Sequence, residues 1–153
     1  MYSNSLSDRL GEGSFSTLKS RYVERQEERF VLVRGYIENG ALITADDYIY
    51  AGAILSTSPF ESDLVAAMAS GLTAAEMGLD LGFRIAAEST DRFRMLRGEP
   101  QRYGTQYYYV EVLKQWRVYP VDPDTTDAER AAMGVESLAI MKDRVALLNE
   151  EVR

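Results

Sequence analysis

The chain has 153 residues, a formal charge of −7 and 46% hydrophobic side chains, which are the size and composition of one ordinary globular domain; a domain of this length buries roughly 70% of its unfolded surface. Neither Cys nor His occurs, which excludes a thiolate nucleophile, a disulfide, a Cys/His zinc site, an imidazole haem ligand and a Ser-His-Asp triad. Chemistry is left to Asp, Glu, Arg, Lys, Tyr, Ser and Thr or a carboxylate-held Mg²⁺, and the acidic balance argues against a general nucleic-acid partner.

Residues 1–14, rich in Ser and Gly and without apolar periodicity, predict a loose arm ahead of a single domain over 15–153. From Ser16 to a stop at Gly40, Leu18, Tyr22, Val23, Phe30, Val33, Tyr36 and Ile37 recur at helical spacing between charged residues. Thr44 followed by Ala-Asp-Asp predicts an N-cap with carboxylates in the first turn of a helix over 45–55, whose face carries Tyr48, Ala51, Gly52 and Leu55. Ser58-Pro59-Phe60-Glu61 predicts a capping box with Pro at the first helical position. The third helix then runs over Leu64, Val65, Met68, Leu72, Ala75 and Met77 to Gly78. A fourth, over 79–97, presents Phe83, Ile85, Ala86, Ala87, Phe93 and Leu96 and ends against Gly98.

Short connections make consecutive helices antiparallel, so residues 16–97 form a bundle of about four helices. Ala51 and Ala86, 35 positions apart, sit near the period of tetratricopeptide-like helix hairpins, although the aromatic and Pro signature of that array is absent. Residues 98–121 then form a motif loop and one β-hairpin, with strands over 105–112 and 116–121 and a turn at Leu113-Lys114-Gln115. Tyr107, Tyr109, Trp116 and Val118 are the face expected to lie on the helices, because a lone two-stranded hairpin is barely stable in water. Packing is the expected role of the Tyr107-Tyr108-Tyr109 run, with base stacking or peptide binding as the alternatives. Thr125 or Thr126 caps a short helix ending near Gly134, and a last helix over 136–149 places Leu138, Met141, Val145 and Leu148 on one side. The fold class is therefore mainly α, an antiparallel helical bundle followed by one β-hairpin and C-terminal helices over 125–150.

Residues 91–119 carry six basic and three acidic groups on a chain that is acidic overall. Arg92, Arg94, Arg97, Arg102, Lys114 and Arg117 either face an anionic ligand or pair with carboxylates such as Asp46, Asp47, Asp63 and Asp80. Within this segment GEPQRYGTQ gathers uncharged hydrogen-bonding groups, a phenol and a Gly-Thr pair that lets backbone approach closely. No apolar run approaches the eighteen or so residues that span a bilayer, and no basic start leads into an apolar stretch, so residence in the cytoplasm without a membrane partner is expected. Nothing in the sequence calls for a cofactor or a metal ion.

The run DRFRMLRGEPQRYGTQ, residues 91–106, resembles the signature of an uncharacterised bacterial family, a domain of unknown function. AGAILSTS, the hairpin with its Trp, the Pro-Asp linker and the terminal Leu-Leu-Asn extend the resemblance over roughly residues 20–150. Members of that family often show Gln-His where this chain has Ser56-Thr57, so chemistry resting on that His would here need another group.

Two functions are compatible with these residues. The first is a helical module that binds a small anionic ligand, a peptide or a partner protein at the QRYGTQ loop through Arg92, Gln101, Tyr103, Thr105 and Gln106. The second is a small enzyme of hydrolase, cyclase or lyase type, with Asp91 as general base, Arg92 orienting an anionic group and Tyr103 as acid. The same residues also read as architecture, with Asp91 accepting backbone N–H groups from the loop, Gln101 and Gln106 tying the hairpin to the helix, and Tyr103 filling the gap. A homodimer through the Tyr-rich hairpin stays open, as does cover of a hairpin edge by the last helix.

Overall fold

A computed structural model describes residues 12–151, with side chains described from Tyr22 onward. Most of the arm expected over 1–14 lies outside the described residues, and 12–14 instead begin helix α1, Glu12–Glu38. The chain then forms α2 (Ala45–Leu55), α3 (Glu61–Glu76) and α4 (Leu81–Leu96). Strands β1 (Tyr107–Val110) and β2 (Gln115–Val118) follow, and α5 (Asp127–Ala132) and α6 (Leu138–Glu151) close the described chain. No described helix is long and apolar enough to cross a membrane.

The helix boundaries follow local chemistry. Thr44 caps α2 in a reciprocal box with Asp47, and Thr126 caps α5 in the same way with Glu129. Gly40, Gly78, Gly98 and Gly134 take positive φ just past the ends of α1, α3, α4 and α5. At each, the glycine and the residue after it donate their N–H groups back into the last turn, as Gly40 does to Ile37 and Ala41 to Tyr36.

Helix α3 departs from expectation. It begins at Glu61 behind Phe60, which makes no side-chain cap, so Pro59 is not its first residue and no capping box forms. Ser58 instead donates to Asp63, whose two carboxylate oxygens also accept a bidentate pair from the Arg34 guanidinium on α1. Burial alone would raise the Asp63 pKa, but hydrogen bonds from Arg34 and Ser58 and the guanidinium charge hold it below its ordinary value. A tertiary clasp between α1 and α3 has thus displaced the local cap.

The buried face of α3 is the expected one only in part, at Leu64 and Ala75. Val65, Leu72 and Met77 are exposed, whereas Ala67, Ser70, Gly71, Ala74 and Ala75 are buried with Leu64. The cause is the closeness of α4: a Cβ built on Gly71 would stand 2.6 Å from Gly82 O and 2.9 Å from Ala86 N, both backbone atoms. A Cβ on Gly52 of α2 would stand 2.9 Å from the side chain of Ile85 on α4. Ala51 and Ala86, the pair noted for their spacing, are both buried.

Among its described side chains, helix α1 packs through its C-terminal half. Phe30 and Val33 join Ala51, Leu55 and Ala67 in one cluster, with Ile37 against it. Tyr22, Val23 and Tyr36, expected on the same face, are exposed.

The hairpin is antiparallel, with Tyr107 opposite Val118 and Tyr109 opposite Trp116. Its strands are shorter than the sequence implied, and its turn is Glu111 to Lys114, with Lys114 left-handed at φ 46° and Gln115 already in β2. Trp116 contacts the rings of Tyr107 and Tyr109, and Tyr108 meets Tyr119 on the opposite face, so the tyrosine run packs within the hairpin. The hairpin rests on α6 rather than on the four-helix bundle. The Asn149 side chain accepts from Trp116 N–H and donates to Trp116 C=O, closing the outer edge of β2 at that residue.

Candidate functional site

Helix α4 delivers Asp91 to the motif loop. The residue is fully buried; its Oδ1 accepts the N–H groups of Arg102 at 2.7 Å and Tyr103 at 2.8 Å, and its Oδ2 accepts Thr105 N–H at 2.9 Å and Thr105 Oγ1–H at 2.8 Å. The bend that lets three main-chain donors converge on one carboxylate includes Gly104 at φ 82°. A side chain at Gly104 would also press within 3.2 Å of Leu138.

Gln101 does the corresponding work toward the hairpin. Its backbone N–H donates to Pro120 C=O and its C=O accepts from Asp122 N–H, a parallel bridge at Val121. Its fully buried carboxamide then donates Nε2 to the C=O groups of Gln106 and Tyr119, while Oε1 accepts Gln106 N–H. It therefore ties the two strands to each other at the root of the hairpin, rather than tying hairpin to helix.

Tyr103 is buried against Ala87, Val135 and Met133, with the Arg102 guanidinium over its ring. Its C=O accepts from Arg130 Nε, and Arg130, 3% exposed, is held in turn by Asp127. Nothing in a lone cation of a short acidic helix marked Arg130 for this role. The only hint is that it is the single basic residue between Pro120 and Val135.

Asp91 and Thr105 are thus spent on each other and on the loop backbone, and Gln101 on the hairpin root, with no buried side-chain oxygen or nitrogen left unpartnered among the described residues; the Tyr103 hydroxyl makes no hydrogen bond among them. A general base needs a lone pair within reach of the proton it takes. Both Asp91 oxygens already serve two donors each, so the geometry gives the carboxylate a holding role.

Arg92, one position on, makes no hydrogen bond to this network among the described residues. It lines an open cleft of about 370 Å³ with Gln106, Thr57, Leu64, Met95 and Tyr119, between α4, the α2–α3 connection and the hairpin. Arg34, Arg84, Arg94 and Arg130, the other arginines shielded from solvent, each have a carboxylate within 4.0 Å. Arg92 has none among the described residues. No family model, curated protein or solved structure matches the chain.

Three of the five other cations of the motif segment have carboxylate partners, though not those the sequence offered, while Arg117 donates only to Gln115 and Lys114 pairs with no carboxylate among the described residues. Arg94 pairs with Asp122 and Glu99, Arg97 with Glu99 and Glu61, and Arg102 with Glu129. Asp63 belongs to Arg34, and Asp47 to its own cap. Gln106 stands on the border between network and cleft: Nε2 donates to Thr105 Oγ1, while its Oε1 and second N–H are uncommitted. Among the described residues no group of three or more acidic side chains gathers that could hold a metal ion.

Proposed function

We propose that this protein is a helical binding module whose cleft at the QRYGTQ loop takes a small anionic ligand, a carboxylate or a phosphate, on Arg92. One observation carries the reading: a shielded guanidinium without a carboxylate partner among the described residues lines a concave, mostly apolar space. Arginine is suited to both anions because its planar donors match two oxygens at once. A cleft of about 370 Å³ is of small-molecule rather than peptide scale. Gln106 supplies uncharged donors and acceptors beside the guanidinium. Thr57, at the position where the resembled family often carries His, lines the same wall, which supports this side of the molecule as the working one.

The network around Asp91 then serves as the mount. It fixes the loop and the hairpin root, and through them Gln106 and Tyr119, against α4 that bears Arg92. A thermal-shift screen of the full chain against inorganic phosphate, nucleotides and small mono- and dicarboxylates tests the reading. A ligand at a hundred times its Kd adds about 2.7 kcal/mol, or roughly 5–10 °C for a domain of this size. The expected result is a shift in the wild type that Arg92→Gln abolishes with its unliganded melting temperature unchanged. An anion that shifts both proteins equally, or no shift from any of these compounds, refutes it.

A further inference from the structure

The two outer edges of the hairpin differ. The register and the Tyr119 N–H to Gln106 C=O bond set the phase of the ladder: Gln106, Tyr108 and Val110 face β2, while Tyr107 and Tyr109 turn their N–H and C=O groups outward. On β2 the outward groups are those of Trp116, taken by Asn149, and of Val118, which have no partner among the described residues but lie on the strand that α6 packs along. On β1 no partner is present for those of Tyr107 and Tyr109 among the described residues. Nor does β1 carry the usual guards of an open edge, since Tyr107–Val110 holds no Pro, no charge and no bulge. Tyr107 and Tyr108 are exposed beside it, as are Val112 and Leu113 at the tip.

We infer that β1 is the interface with a second copy of this chain, paired antiparallel about a two-fold axis at Tyr108 so that two hairpins make one four-stranded sheet. The occupant follows from self-complementarity. With Tyr108 opposite Tyr108, the outward groups of Tyr107 meet those of Tyr109 in the other copy, and all four N–H groups and all four C=O groups are satisfied at once. No charge opposes another in this register: Glu111, the nearest ionised group on this strand, falls opposite Thr105. One face of the joined sheet carries Tyr107 and Tyr109 of both copies between the two Trp116 rings, which extends the aromatic contacts already made within each hairpin. This interface goes beyond the ligand reading and does not depend on it.

Sedimentation velocity of the full chain over micromolar concentrations tests the inference. The wild type is expected at twice the 17.2 kDa of one chain. Tyr108→Lys, at an exposed position, puts two ammonium groups face to face at the axis and is expected to weaken the dimer about tenfold or more. Mixing Tyr108→Lys with Tyr108→Glu chains is expected to restore a mixed dimer, which a merely structural role of Tyr108 would not produce. Tyr109→Pro deletes an outward N–H that the monomer does not use, as proline on an edge strand can, and is the second variant should Tyr108→Lys not fold. A monomeric wild type overturns the inference and leaves the edge to an extended segment of another protein; a dimer indifferent to both substitutions also overturns it.

Discussion

Replacing Asp91 by Asn separates an architectural carboxylate from a catalytic one. The substitution keeps shape and volume but turns one acceptor oxygen into a donor. If Oδ1 is replaced, the N–H groups of Arg102 and Tyr103 face an amide nitrogen; if Oδ2 is replaced, Thr105 N–H does, while its hydroxyl can rotate. At least one main-chain donor is orphaned in either orientation, at about 1–3 kcal/mol, and the surviving bonds lose the charge that strengthened them, at roughly 1 kcal/mol each. The expected loss is about 3–5 kcal/mol, a large share of the roughly 5–15 kcal/mol that hold a domain together, and a melting temperature lower by about 10–15 °C. Urea denaturation followed by circular dichroism, with an unchanged slope, measures it. A loss below about 1 kcal/mol would show that the four bonds do not hold the loop, and the architectural assignment would fail.

Arg92→Gln should behave in the opposite way, staying within about 0.5 kcal/mol of the wild type in the same urea titration because no ion pair is lost; a loss of 2 kcal/mol or more, on the order of a broken buried pair, would mean the guanidinium is structural. Gly82→Ala should destabilise by about 1–3 kcal/mol or more, since its Cβ would be driven into the Gly71 carbonyl and Ala75 N, which are backbone and cannot swing aside; thermal melts would detect a neutral outcome and so disprove the close crossing. Glu136, hydrogen-bonded to its own backbone N–H and to Arg84 with Arg144 adding, has its pKa lowered from 4.5 to about 2. A depressed carboxyl stabilises the fold above its unfolded pKa and gives that up as pH falls toward the folded one, so stability should decline between about pH 4.5 and 2, with Asp63 acting in the same direction. Glu136→Gln should flatten that decline modestly, since solvent screens a group about a third exposed; an identical acid profile in variant and wild type counts against the Arg84 pairing.

What the sequence made legible was chemistry that acts over a few residues. The threonine caps, the glycine stops and the class of the fold are set by hydrogen bonds within one turn, and they can be read from neighbours alone. The contents of the motif loop were legible as well, because a Gly-Thr pair beside two glutamines and a preceding Asp is an unusual density of polar groups. The face of α3 was legible only in part, because hydrophobic periodicity weighs apolar character and ignores size: where two backbones touch at Gly71 and Gly82, large aliphatics such as Val65 and Leu72 are forced outward. Ser58-Pro59-Phe60-Glu61 has the local form of a cap, but Asp63 is recruited by Arg34, 29 residues earlier, and Ser58 follows it. Arg130 and Asn149 hold the loop and the hairpin from far along the chain, and no spacing rule reaches that distance.

Asn149 sets a limit on assembly. Strands rich in tyrosine and free of charge are the raw material of fibres, but a fibre needs every added unit to present a fresh docking line behind it. A ribbon whose second strand lies along α6, with Trp116 already held by Asn149, offers a newcomer only the outward groups of Val118 once its first strand is taken. A single carboxamide on α6 therefore works against propagation beyond one partner, while the flank that carries Tyr107–Val110 stays open to it.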